Sequence, residues 1–145
     1  MDRAQLAVAK FASGYNCAQS VLFSFCDDLG LDKNKVLKMA CGFGAGMGRK
    51  EEVCGAVTGG IMVIGAKYGR GENEDRSATD TAYVKIREFM DRFSQRHGTY
   101  ICRELLNGCE LTTEEGQKAF IGNDYLNKVC KVCVKNAVEI LENII

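Results

Sequence analysis

Val53-Cys54-Gly55-Ala56-Val57-Thr58-Gly59-Gly60-Ile61-Met62-Val63-Ile64-Gly65-Ala66 is the longest apolar stretch of the chain, and the architecture turns on it. It reads as a buried helix. Gly55 and Gly59, with Ala56 and Gly60, give that helix small faces on which neighbours pack closely, and Gly69 and Gly71 close it. The stretch is too short to cross a bilayer, and Thr58 and several glycines interrupt its hydrophobicity.

On its N-terminal side stands Cys41-Gly42-Phe43-Gly44-Ala45-Gly46-Met47-Gly48-Arg49-Lys50. Alternating glycines do not build a stable helix, so this segment is a tight connection that brings backbone close to something. It spells neither G-x-G-x-x-G nor G-x-x-x-x-G-K-[ST], and no strand precedes it, which argues against a nucleotide fold. A flexible hinge and a backbone cradle beside a cofactor are both open readings.

Spacing near 3.6 residues dominates the remainder. A first helix covers Asp2 to Ser13 and stops at Gly14. Asn16 caps a second, with Ala18, Val21, Leu22, Phe25 and Leu29 on one face and Gly30 as its stop. Asp32 caps a third, carrying Val36, Leu37 and Ala40. After the polar run Glu72 to Ser77, a long helix from Ala78 to His97 turns Ala82, Ile86, Phe89, Met90 and Phe93 inward. A helical turn over Cys102 to Leu106 follows, then a short helix capped by Thr112 or Thr113. Asn123 or Asp124 opens the last helix, whose face is Leu126, Val129, Cys130, Cys133, Ala137, Ile140, Leu141 and Ile144. No period-two strand, internal repeat or linker interrupts the pattern. The expectation is an all-α, single-domain helical bundle of six or seven helices spanning residues 1–145.

Lys plus Arg and Asp plus Glu balance at 19 each. Such a chain lacks the basic field that holds nucleic acid or an anionic membrane, so neither is expected as a partner. Proline is absent, which leaves long helices unbroken, whereas cysteine occurs eight times. An even cysteine count invites disulfides only in an oxidising compartment. Met1-Asp2-Arg3-Ala4-Gln5-Leu6 runs straight into an amphipathic pattern, with no basic then apolar leader and no twin arginine. The expectation is therefore a cytoplasmic protein with reduced thiols, in which eight cysteines point to metal or redox chemistry.

Cys54 falls in the first turn of the buried helix, where the helix N-terminus stabilises a thiolate, and Gly55 beside it lets another group approach. Cys130 and Cys133 form a C-x-x-C on one helix face, without the strands of a thioredoxin-like context and without the histidine of C-x-x-C-H. Cys17 opens the second helix, and Cys102 follows the break at Gly98. Four thiols from four helix starts or faces are how a bundle builds an interior site. Cys26, Cys41, Cys109 and Cys133 remain open as further ligands, resolving thiols or core residues. His97, the only histidine, reads as a favourable charge at a helix C-terminus. Serine triads and paired carboxylates have no supporting constellation.

The elements Gly14-Tyr15-Asn16-Cys17-Ala18-Gln19, Gly44-Ala45-Gly46-Met47-Gly48-Arg49, Cys54-Gly55-Ala56-Val57-Thr58-Gly59, Cys102-Arg103-Glu104-Leu105 and a late Cys130, in this order, resemble the C_GCAxxG_C_C family, a redox family named for its four cysteines. The resemblance covers most of the chain. It implies that Cys17, Cys54, Cys102 and Cys130 hold a prosthetic group, an iron–sulfur cluster, without naming a reaction. The first expectation for such a cluster is electron transfer, one electron at a time, to or from a redox partner protein. Two alternatives stand beside this. One is a thiol–disulfide protein using Cys54 and a resolving cysteine, and the other is a structural zinc-binding module. Ile144-Ile145 and the glycine-faced helix also offer contact surfaces for a homo-oligomer, and burial within one chain accounts for them equally well.

Overall fold

Asp2, Asn16, Asp32, Asp75 and Thr113 each accept a hydrogen bond from a backbone N–H in the first turn of a helix, at 2.8 to 3.0 Å. These caps set the starts of five of the nine α-helices in the computed structural model, which describes residues 1–145. The helices are α1 (Arg3–Ala12), α2 (Cys17–Phe23), α3 (Cys26–Leu29), α4 (Lys33–Ala40), α5 (Gly55–Tyr68), α6 (Arg76–His97), α7 (Cys102–Leu105), α8 (Glu114–Gly122) and α9 (Lys131–Ile144). The all-α expectation holds. In α1 and α2 the cap is reciprocal, because Gln5 and Gln19 each accept the N–H of the capping residue in return.

The structure departs from the expected course at three places, and two of them, the first and the last, raise the helix count above six or seven. The helix expected from Asn16 to Gly30 breaks between Phe23 and Cys26. There Ser24 Oγ donates to the Val21 carbonyl at 2.7 Å, and Phe25 is fully buried. At the other end of the chain, Asp124 takes a left-handed φ of 52°. Leu126–Cys130 then forms one π-helical turn that runs directly into α9. The turn around Cys102 also qualifies as a helix in its own right, α7.

Helix α5 lies at the centre, packed most extensively on α2 and also on α6 and α9. Its glycines set those distances. A Cβ on Gly59 would lie 2.7 Å from the Ala18 carbonyl oxygen, and one on Gly60 would overlap the Phe89 ring. Phe25, Phe89, Phe93, Ile64, Val57, Val134 and Leu141 fill the core with no measurable exposure. Each such side chain contributes about 1.5–3 kcal/mol of burial free energy. A smaller cluster of Cys102, Leu106 and Leu111 sits apart from this core, toward Phe120 and Cys130.

The glycine-rich segment is a left-handed turn. Ala45, Gly46, Met47, Gly48 and Arg49 all have φ between 53° and 71°, and Glu51 follows at 61°. Each non-glycine residue there costs about 1–2 kcal/mol. The turn closes on its own hydrogen bonds, Gly48 N to the Gly44 carbonyl at 3.1 Å and Glu52 N to the Gly46 carbonyl at 2.9 Å. Asn16 Nδ2 donates to the Cys41 carbonyl at 2.9 Å, which ties the segment to the start of α2. No helix is long and apolar enough to cross a membrane.

Candidate functional site

An isolated antiparallel bridge pairs Val53 with Ile101. Around it Cys54 N donates to the Tyr100 carbonyl at 2.8 Å, and Cys102 N donates to the Glu52 carbonyl at 2.6 Å. Two cysteines distant in sequence are thereby set side by side, at the starts of α5 and α7. The sequence signal for this contact was the β-branched residue immediately before each cysteine, too short to read as a strand.

Cys17 reaches the same place from α2. A Cβ on Gly55 would lie 3.1 Å from Cys17 Cβ and 3.1 Å from Ala18 N, so the glycine after Cys54 makes room for Cys17. Cys130, at the end of the π-turn, and Cys133, in the first turn of α9, complete the group. All five line one cavity of about 200 Å³. Phe11, Leu106, Leu111, Phe120 and Val129 supply its apolar walls, with Gly46 of the left-handed turn at its edge. The four cysteines singled out by sequence are thus brought together, and Cys133 joins them as a fifth.

The remaining three stay outside the cavity. Cys26 is packed in the core, its Sγ donating to the Leu22 carbonyl at 3.5 Å. Cys41 is exposed, and Cys109, half-buried, donates from Sγ to the Gly116 carbonyl at 2.9 Å. All eight cysteines are free thiols.

The cavity thiols are electrostatically unequal. The Cys133 thiol, acting as a donor, holds the Cys54 pKa below the usual thiol range, and the Ala56 and Val57 N–H groups assist it against the opposing effect of burial. A thiolate at Cys54 then pushes Cys17, Cys102 and Cys133 up. Cys133 is raised by that neighbour and by burial. Cys17 is raised chiefly by its contact with Cys130 and by burial. Burial raises Cys102, with Cys54, Cys130 and Glu51 adding to it. The negative charge of the group therefore concentrates on Cys54.

Two residues gain importance from the structure. Glu51 is buried at 3% exposure, with Oε1 accepting the Leu111 N–H at 2.9 Å and Oε2 without a hydrogen-bond partner. Its carbonyl accepts the Arg103 N–H at 3.1 Å, so it joins the left-handed turn to α7 and to the segment before α8. In the sequence it stood among ordinary charged residues. His97 stands in the last turn of α6, but its charged form is disfavoured there. Its ring turns inward to within 3.9 Å of Cys133 Sγ, and burial, with Arg96 beside it, lowers its pKa below the ordinary imidazole value.

Fold and site together define a helical thiol protein with a convergent cysteine cluster in an apolar cavity. The family model described as "Putative redox-active protein (C_GCAxxG_C_C)" matches residues 15–144, and the chain belongs to this family. No curated protein and no solved structure matches it.

Proposed function

We propose that the protein carries electrons through an iron–sulfur cluster held by Cys17, Cys54, Cys102 and Cys130, in a reducing compartment and in exchange with a redox partner protein. The observation that carries this reading is the donor set: free thiols from separate elements, all facing one cavity with apolar walls. They surround a volume, and no three His, Cys, Asp or Glu side chains converge as ligands of a single ion. Four thiolates from separate elements around one apolar cavity are a donor set that an iron–sulfur cluster uses, and tetrahedral zinc takes the same ligand type. When bound, such a group supplies one-electron chemistry. The chain supplies thiolate ligands, a wall that excludes water, and the Ala56 and Val57 N–H groups, which stabilise negative charge on Cys54 Sγ.

Anaerobic purification followed by iron, sulfide and zinc analysis with a visible spectrum tests the reading. The expected result is iron and sulfide with a charge-transfer band that bleaches on reduction. Serine at Cys17, Cys54, Cys102 or Cys130 should abolish the iron, and serine at Cys26, Cys41 or Cys109 should not. Colourless, iron-free protein after anaerobic handling overturns it.

Cys54 and Cys133 line the same cavity, and the lowered Cys54 thiol favours a second reading, a dithiol. In it the Cys54 thiolate attacks a partner disulfide and releases one partner thiolate. Cys133, on losing its proton, then attacks Cys54 Sγ and displaces the second partner sulfur. A Cys54–Cys133 disulfide forms, and the partner gains two electrons as two thiolates. Uniformly slow alkylation of all eight thiols in the folded, metal-free protein counts against it.

A further inference from the structure

His97, Asn136 and Cys133 form a chain of polar contacts leading into the cavity. His97 closes α6, its ring lying against Phe93 with centroids 4.5 Å apart. Its Nε2 is 3.1 Å from Asn136 Nδ2, and its Nδ1 is 3.9 Å from Cys133 Sγ. Asn136 and Cys133 are three residues apart on α9, so one face of that helix meets both nitrogens of the ring. An amide NH2 only donates, so with Asn136 Nδ2 facing Nε2 the matching tautomer carries its proton on Nδ1, on the side of Cys133 Sγ. The lowered imidazole pKa agrees with a neutral ring. Cys133 in turn lines the same cavity as Cys54.

We propose that His97, held in its Nδ1–H tautomer by Asn136, is a positioning residue that raises the reduction potential of the cysteine site through Cys133 and Cys54. Reduction adds negative charge to sulfur inside apolar walls, where each hydrogen-bond donor counts for more than it would in water. An N–H directed at the sulfurs stabilises the reduced form over the oxidised one. The sign is the same for a dithiol couple, because the reduced pair carries the thiolate. The inference rests on the redox reading given above and extends it to residues outside the ligand set.

The test compares midpoint potentials of the anaerobically purified protein with those of His97→Phe, His97→Gln and Asn136→Ala. The cluster couple is followed by visible absorption, and the dithiol couple by thiol labelling in glutathione buffers. His97→Phe keeps a ring against Phe93 and removes the N–H. It is expected to shift the reduced-to-oxidised ratio about tenfold toward oxidised, which is about 59 mV more negative for one electron or about 30 mV for two. His97→Gln restores an N–H donor and should recover part of the shift. Asn136→Ala leaves His97 in place, should shift the potential in the same direction, and decides the matter if His97→Phe does not fold. Wild-type potentials in the folded variants overturn the proposal while leaving the redox reading intact. Absence of any couple in either assay sinks both. Nitrogen NMR of the single histidine gives an independent readout, since an Nε2–H tautomer in the wild-type protein also overturns the proposal.

Discussion

Cys54 is where burial and hydrogen bonding compete most directly. Burial alone would keep its thiol protonated, yet the Cys133 thiol and two N–H groups at the start of α5 outweigh it. In the reduced, metal-free protein, Cys54 is expected to react with iodoacetamide at pH values below the ordinary thiol pKa of about 8.5, while Cys17, Cys102 and Cys133 stay protonated and slow. Its reactivity should fade only as pH drops through its depressed pKa. Cys133→Ala removes the principal donor and should slow Cys54 at neutral pH on the order of tenfold, the worth of one charge-assisted hydrogen bond. Mass spectrometry of labelled peptides across pH decides the point, and equal rates for all buried thiols would refute this account of Cys54. The helix-start half of the effect was legible from Cys54 and its position. Its donor Cys133 was not, because a contact between α5 and α9 leaves no trace in local spacing.

Among the helices, α5 shows how much of the packing is written in single residues. Its glycines divide into those that touch and those that do not. Gly59 and Gly60 meet Ala18 and Phe89, whereas a Cβ on Gly65 would meet nothing within 4 Å. Gly59→Ala should therefore cost about 1–3 kcal/mol through overpacking. Gly65→Ala should stabilise by about 0.5–1 kcal/mol, because helix propensity rises with no steric penalty. Urea unfolding of the two variants measures both signs, and a Gly59→Ala protein as stable as wild type would show that α2 is not pressed against α5. The small faces of α5 and the caps at Asn16 and Asp32 could be read from sequence, since both follow from local chemistry. The break at Ser24–Phe25, the π-turn before α9 and the Val53–Ile101 bridge could not. The first follows from the burial of Phe25 and the last joins segments distant in sequence, while the π-turn, with no buried residue, is marked by no local signal. The glycine-rich segment lies between these cases. That it would not be a helix followed from its glycines, but its left-handed course through Ala45, Met47 and Arg49 is imposed by the contacts of Asn16 and Glu51.

Taken as a whole, the molecule couples its stability to the protonation of its thiols. Unfolding returns every cysteine to an ordinary pKa of about 8.5. Folded, Cys17, Cys102 and Cys133 hold their protons to higher pH. Above the ordinary value the unfolded chain therefore binds fewer protons than the folded one, and stability falls as pH rises. The contribution of these groups is fully present below about pH 8.5 and is lost progressively above it, at up to about 1.4 kcal/mol per pH unit for each thiol. Cys54 has the opposite sign, since its stabilising contribution is present above the ordinary thiol value and lost as pH drops through its depressed pKa. One lowered thiol against five raised ones, with Cys26 and Cys109 added to these three, leaves a net alkaline loss. The urea midpoint of the reduced, metal-free protein should decline from pH 8.5 to 10, and Cys102→Ser should flatten the decline while Cys41→Ser, at an exposed site, leaves it unchanged. A midpoint that stays level or rises over that range would mean the thiols already ionise in the folded state. The cavity would then be far more hydrated than its apolar walls imply, and the case for a water-excluding redox site would weaken with it.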